Sequence, residues 1–468
     1  MTQGGALVKN TLIIAVGRLF TQFLTFLLLP LYTAFLSPSS FGELDLITLY
    51  IGLLAPTFTL QMEMSVFRHL IDARGFKNVV ESRRIVSSAF CVAAMGAAIG
   101  SVVIAVVGAA LGLPLTLYIV AVFISTVLLN FFLQVARGKG RNDLFAMASV
   151  VTGLANISMS VIALVVLHMS VNGILIASII ANSVGAILLI VKTDSLHDIK
   201  TKYIKKKIIM QLVGYSWPLV PNHFAIWGIG GVSRTVVAAV LGVAAVGIYA
   251  AANKFGLIYT ALYSVFAMSW TEAVSLHFGK KGDFLSNASN SAIKLFGSLA
   301  LLVVSFSAIV FPILVADDFA GARVYIPFLL SAAFFSSLMT HYGAIYLAAK
   351  ETKRIVQITF QALAISAVLT LVGIWFIGLW SAVLALLVTY VFIAVRRHID
   401  IQRLAKISYK PFTYIQLGLL AIVVFTLYYI NNNLLNIISA AVTIVTATII
   451  NKNEIKKITN VILNKGSA

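Results

Sequence analysis

Three basic residues stand where a membrane-crossing helix should have none. Arg18, Arg234 and Lys254 each lie within a run otherwise apolar enough to cross a bilayer. At about 1.5 Å per residue, Arg234 lies roughly 10 Å and Lys254 roughly 18 Å from a tight turn at Gly242, and Arg18 roughly 14 Å past Lys9. A cation at the centre of a span costs at least about 2.5–3.5 kcal/mol on insertion scales, so it normally faces a bundle interior or a wet cavity and marks a ligand path. The chemistry it offers is capture of an anion by charge-assisted hydrogen bonds. Arginine can grip a phosphate with two parallel bonds, whereas lysine acts as a point charge.

Polar companions recur at helical spacing beside these cations. Ser216, His223, Trp227, Gly230 and Arg234 share one face of the helix before Gly242, and Asn253, Gly256, Thr260, Ser264 and Thr271 share a face of the helix after it. Arg18, Gln22 and Thr25 form a similar stripe on the first span, and Asp45, Thr48, Gly52, Pro56, Thr59 and Glu63 on the second. Pro56 frees a backbone carbonyl, and such breaks recur where transporters bind ions or substrates. Glu63 and Asp45 are therefore candidates for coupling to a cation. The competing explanations are structural. Small and hydroxylated residues let membrane helices pack closely, Glu63 could pair with Arg68, Glu43 and Asp45 could be boundary residues, and Arg18 could sit in an ion pair. Thr152, Asn156 and Ser160 share a face that suits helix–helix hydrogen bonding or a polar lining.

The elements that position these residues follow from composition. The chain has 468 residues, 60% hydrophobic and 10% charged, with a mean hydropathy of +1.01. Soluble domains carry about 25% charged residues, so this is an all-α polytopic membrane protein. Fourteen spans can be placed, at 11–36, 44–66, 85–111, 115–135, 143–168, 171–191, 213–241, 244–271, 288–315, 325–349, 355–373, 376–395, 413–430 and 434–450. The first reads as an uncleaved anchor. With the N-terminus in the cytoplasm, alternate loops hold 29 of the 34 Lys and Arg, while the outside loops hold only Arg323. The positive-inside rule thus accounts for the net charge of +19 without a nucleic-acid partner. Both termini are expected in the cytoplasm, and Lys294 is expected to snorkel to the headgroups.

An internal repeat organises the spans. FLSPSSFGELDL (35–46) matches VLGVAAVGIYAA (240–251) in hydrophobic pattern, with Leu36 over Leu241 and Gly42 over Gly247. The offset implies two six-span blocks in the same orientation. The organisation expected is an N-lobe over 1–191, a basic cytoplasmic linker over 192–210, a C-lobe over 211–400, and two further spans with a cytoplasmic tail over 401–468. The linker reads as a solvated topology signal, NNN (431–433) as a turn, and the tail as an interfacial helix.

Several chemistries are absent from the sequence. It carries no P-loop and no GxGxxG after a strand. It has no His/Cys/Asp cluster at metal-ligand spacing, and the single Cys91 permits no internal disulfide. Convergent acids or a nucleophile–base pair are missing, so an enzyme is not expected.

LPLYTAFLSPSSFGELDL (29–46), YSWPLVPN (215–222), SRTVVAAVLGVAAVGIYAAANKF (233–255) and the Trp270–Glu272–Ala273 end of span eight resemble the bacterial oligosaccharide, or polysaccharide repeat-unit, flippases of the multidrug/oligosaccharidyl-lipid/polysaccharide exporter superfamily. The resemblance covers roughly residues 7–400. It implies two pseudo-symmetric six-helix lobes around a central cavity, alternating access, and a substrate made of a sugar repeat unit on undecaprenyl pyrophosphate. The family usually has an acidic residue just before the arginine of span seven. Here that position is Ser233, which leaves Arg234 freer to meet an anion.

On this reading Arg18, Arg234 and Lys254 would hold the diphosphate. Gln22, Asn156, His223, Trp227, Tyr249, Asn253, Thr260 and Tyr263 would line the path with polar or aromatic groups suited to sugars. The protein would sit in the bacterial cytoplasmic membrane and serve O-antigen, capsule or exopolysaccharide assembly beside a polymerase and chain-length machinery. No cofactor is expected beyond a coupling ion, Na+ or H+. The alternatives are a lipid II flippase or a cation-coupled drug exporter of the same superfamily. A membrane glycosyltransferase or polymerase is disfavoured because no large outer loop is present.

Overall fold

The computed structural model of the chain describes residues 23, 26–75, 78–279, 283–405 and 407–456. Among these residues there is no strand. That outcome follows from the solvent: in hydrocarbon every backbone N–H and C=O must be satisfied within the segment, which a helix does and an open strand does not. The helices are α1 (Phe26–Phe35), α2 (Pro38–Phe58), α3 (Met62–Gly75), α4 (Val79–Ala110), α5 (Thr116–Gly138), α6 (Asn142–Val161), α7 (Val171–Lys192), α8 (Ser195–Asp198), α9 (Lys206–Ser216), α10 (Leu219–Leu241), α11 (Val243–His277), α12 (Phe284–Leu314), α13 (Ile326–Ala348), α14 (Thr352–Ile377), α15 (Trp380–Ala405), α16 (Pro411–Ile430) and α17 (Asn433–Ile450). Twelve helical segments among the described residues are long and apolar enough to cross a membrane. At 35 residues α11 is also long enough, and Lys254 interrupts its apolar run.

Turn chemistry sets several boundaries. Gly242 takes φ of 89° between α10 and α11, a conformation L side chains rarely adopt. Asn431 occupies the left-handed region after α16, and the Asn432 side chain accepts from the N–H groups of Leu434 and Leu435 at the start of α17. The expected turn at 431–433 is therefore built from asparagine chemistry.

Contacts divide the chain into two compact units, Met1–Gly247 and Ile248–Ala468. In the first, α3 packs against α4, α5 and α9. Met62, Val66 and Leu70 meet Ile85, Val86, Phe131, Phe132, Val135, Leu189, Ile208 and Leu212 in one buried core. α10 and the second half of α9, which the sequence reading places in the second lobe, fall within this unit. The span expected over 44–66 is broken. α2 stops at Phe58, Leu60 and Gln61 both adopt φ of 52°, and α3 restarts at Met62 and runs on to Gly75. The cause lies upstream, since Pro56 cannot donate to Gly52 and the helix loses a rung. The span expected over 213–241 is likewise interrupted, at Trp217–Pro218.

The linker is anchored as well as solvated: its six lysines are exposed as expected, while Asp198 and its backbone are held by the bundle. Asp198 meets Arg83 Nε at 3.2 Å and Lys139 Nζ at 2.5 Å. Ser87 Oγ donates to the Asp198 carbonyl, and the N–H groups of Lys200 and Lys205 donate to Ser87 and Ser88. Short irregular backbone needs partners for its polar groups, and the serine pair at the start of α4 supplies them. The hydrogen bond to Arg83 also holds the Tyr203 hydroxyl below its ordinary pKa.

In the second unit α15 packs between α13 and α14, and α12 packs on α16 and α17. Hydroxyl and amide pairs tie the latter group together, with Ser305 to Thr443 at 2.9 Å and Asn451 to Ser298 at 3.0 Å. Lys294 does not snorkel freely; its ammonium meets Glu454 at 2.7 Å. The basic loop expected over 396–410 is helical up to Ala405. Arg397 within it is 2% exposed and donates to the Met339 carbonyl at 2.6 Å. The interfacial helix expected in the tail falls mostly on 457–468, outside the described residues.

Candidate functional site

The polar stripe of α10 meets α2 along an antiparallel seam. Near the start of α2, Arg234 Nη1 donates to Asp45 Oδ2 at 3.1 Å, with both side chains largely buried. The next contact joins the Tyr50 and Thr235 hydroxyls at 2.7 Å. Trp227 Nε1 then donates to the Leu49 carbonyl at 2.9 Å, and Gly231 leaves room for the indole, since a Cβ there would lie 2.6 Å from its ring. Farther along, His223 Nε2 donates to the Gly52 carbonyl at 3.1 Å. That carbonyl is the one Pro56 leaves without its helical N–H, so the imidazole replaces the missing rung.

The seam continues through both helix breaks. Gln61 Nε2 donates to the Leu219 carbonyl at 2.9 Å, stapling the break in span two to the restart after Pro218. Ser65 Oγ donates to the Leu212 carbonyl at 2.8 Å. Interhelical hydrogen bonds of this kind are the usual adhesive between membrane helices, because water offers no competition.

These contacts decide where several residues singled out in the sequence act. Arg234 is not left to meet a foreign anion by the loss of an acid at position 233, because Asp45 provides its counter-charge from another helix. Asp45 is accordingly engaged with Arg234 near the start of α2. His223 and Trp227 have their ring N–H groups on α2 carbonyls. Asn156 Nδ2 donates to Ser178 Oγ at 3.2 Å, the helix–helix bond that its spacing suggested. Tyr249 is 1% exposed, and Tyr263, 4% exposed, packs edge-on against Phe296. Both rings pack in the interior of the protein.

On α11, Asn253, Lys254, Thr260 and Ser264 remain half-buried. Thr260 and Ser264 bond their own helix, at Leu257 O and Ala261 O. Arg18, Gln22 and Thr25 lie outside the described residues.

Glu63 departs from its simplest reading. Arg68, its expected partner, bonds Asp72 at 2.5 Å instead. Glu63 borders a small cavity with Pro56, Thr59 and Asn130, and Thr59 Oγ1 donates to it at 3.3 Å. Sequence reading missed Asn130, Tyr50 and Gln61. A lone amide inside the apolar run LLNFF was the available signal for Asn130.

At the far end of α2 the two repeat-equivalent glycines meet. A Cβ on Gly42 would lie 2.0 Å from the Val243 carbonyl oxygen, and one on Gly247 would lie 2.0 Å from the Pro38 carbonyl oxygen. The backbones touch, which only paired glycines permit.

Comparison with known proteins bears on this arrangement. A sequence model of a family described as "Polysaccharide biosynthesis protein" matches residues 7–271. No curated protein sequence matches significantly. Among solved structures, the chain is similar to an inward-facing multidrug resistance MATE family transporter of the MOP superfamily, with 15% identity, TM-score 0.67, and coverage of 83% of this chain and 98% of that one. It is similar to a mutant form of a Vibrio cholerae MATE transporter, with 16% identity, TM-score 0.62, and coverage of 86% and 98%. It is also similar to the lipid II flippase MurJ in an inward closed conformation, with 14% identity, TM-score 0.65, and coverage of 96% and 100%.

Proposed function

The chain belongs to the polysaccharide biosynthesis protein family, and from that premise we propose that it is a flippase for lipid-linked oligosaccharide. It carries an undecaprenyl-pyrophosphate-linked repeat unit from the cytoplasmic to the outer leaflet of a bacterial cytoplasmic membrane, for O-antigen, capsule or exopolysaccharide assembly. Family membership is the observation that carries this reading. The fold is in keeping with it: the chain is similar over 96% of its length to a lipid II flippase, a carrier of lipid-linked sugar.

Lys254 is the described cation best suited to the diphosphate. It stands half-buried within α11, and cations within spans normally face a bundle interior or a wet cavity and mark a substrate path. Arg18 is proposed to act with it. Lys254→Ala is expected to abolish most polymer production in a flippase-deleted host at unchanged membrane abundance, and Lys254→Arg to retain part of it. An abundant, fully active alanine variant would remove Lys254 from the substrate path. Restoration of growth in a lipid II flippase-depleted strain, without polymer production in the first host, would favour the lipid II reading.

Orientation has its own test. The charge distribution puts Lys205 in the cytoplasm and Asp318 outside; both side chains are exposed. In a Cys91→Ala background, Lys205→Cys and Asp318→Cys should react with an impermeant thiol reagent from opposite sides. Labelling from one side would overturn the orientation.

A further inference from the structure

We propose that the break between α2 and α3 is a binding site for one monovalent cation, a proton or Na+, held by the Glu63 carboxylate. Glu63 is half-buried in a membrane-embedded bundle, and no Lys, Arg or His lies within ion-pairing distance of it among the described residues. A carboxylate in that setting does not stay bare; it is neutralised by a proton or balanced by a bound cation. It lies in the first turn of α3, where its own backbone N–H bonds the carboxylate and the helix dipole favours the ionised form. The ionised form in turn attracts a cation.

The surroundings fit such an occupant. The cavity is about 10 Å³, room for one water-sized guest. Ala55, Pro56, Ala93, Val127 and Phe131 give it apolar walls, and its oxygen-bearing side chains are Glu63, Thr59 and Asn130. Thr59 Oγ1 lies 3.3 Å from the carboxylate, and its proton is shared with Ala55 O at 2.8 Å. A hydroxyl oxygen, an amide oxygen and one carboxylate form a hard donor set with a single negative charge, which suits a monovalent rather than a divalent cation.

The titratable group facing Glu63 from α10 is His223, whose Nε2 is committed to Gly52 O. α4 and α5 present no ionisable side chain to the cavity, and α9 meets α3 through Leu212 O and Ser65. The break itself is held by the bond from Gln61 to Leu219 O. Occupancy of the cavity would therefore be felt at the restart of α10. On the flippase reading this is where a coupling ion would bind, but binding itself does not depend on that reading.

The test uses the purified full chain and measures no transport. Thermal unfolding is followed in NaCl and in choline chloride of equal ionic strength. Infrared difference spectra between acid and alkaline pH report the protonated-carboxyl stretch. Wild type and Glu63→Gln, the latter an isosteric mimic of the neutral state, are compared. If the guest is Na+, wild type gains several degrees in sodium and Glu63→Gln gains none. Asn130→Ala then raises the sodium concentration for half-maximal effect several-fold. If the guest is a proton, wild type already shows at pH 7 a carboxyl band that is missing from Glu63→Gln, where an ordinary carboxylate would show none. Responses that are identical in wild type and Glu63→Gln overturn the site. A site that binds in a protein failing every polymer assay would instead count against the flippase reading alone.

Discussion

Alanine at position 234 is expected to lower membrane abundance several-fold, and removal of Asp45 as well is expected to restore it. Arg234 and Asp45 are largely buried, with side-chain exposures of 17% and 15%, and lie 3.1 Å apart. Breaking such a pair from one side strands the other charge at a cost of about 3–5 kcal/mol, whereas removing both is often nearly neutral. Arg234→Ala and Asp45→Ala should therefore each be scarce, and the double variant abundant. The measurement is membrane protein level and thermal stability across the four members of the cycle, with polymer production scored per molecule. An abundant, active double variant assigns the pair to the α2–α10 seam alone. An abundant, inactive one means that Arg234 also handles the anionic substrate. Single variants as abundant as wild type would show that the pair contributes nothing to stability.

The second large effect is expected at the glycine crossing. Gly42→Ala and Gly247→Ala each place a methyl group 2.0 Å from a backbone carbonyl oxygen, Val243 O and Pro38 O respectively. A carbonyl held in a helix cannot swing aside as a flexible side chain could, so the backbones must separate. Overpacking of this kind costs about 1–3 kcal/mol and sometimes more. Both variants should melt several degrees below wild type in detergent. Gly52→Ala on the same helix is the control, because a Cβ there meets nothing within 4 Å. It should be neutral or slightly stabilising, as alanine is the better helix former. Equal melting of all three would refute the close crossing.

Much of this protein is determined by its sequence. Apolar runs of about 20 residues make helices in a bilayer whatever their neighbours, because the backbone has no other way to satisfy itself. Gly242 and Asn431 end helices because their residue types tolerate positive φ. The pairing of Gly42 with Gly247 was foreshadowed by the repeat alignment, and the helix–helix bond of Asn156 by its company of small polar residues. Family membership could be read from the motifs around 29–46 and 215–255. Periodicity also placed His223, Trp227 and Arg234 correctly on one face.

What that face meets was decided only by the tertiary structure. The partners on α2 stand 171, 178 and 189 residues away in the chain, and no local pattern encodes a pairing at that distance. For this reason Arg234 could be read as awaiting an anion when Asp45 already balances it. It is also why the bonds of this stripe to α2 could not be read from its period. The break at Thr59–Gln61 is a mixed case. Pro56 announces a lost rung, but a proline often leaves only a kink. Here the donors that accommodate the break, His223 on Gly52 O and Gln61 on Leu219 O, come from or reach to α10. The linker follows the same logic. Its lysines are exposed as their charge suggested, but that Arg83, Lys139 and the serines of α4 would hold Asp198 and the backbone was not legible in the sequence. A residue's type sets what it can bond, and its period sets which side it faces. Which group waits there is fixed by the packing of helices far apart in sequence.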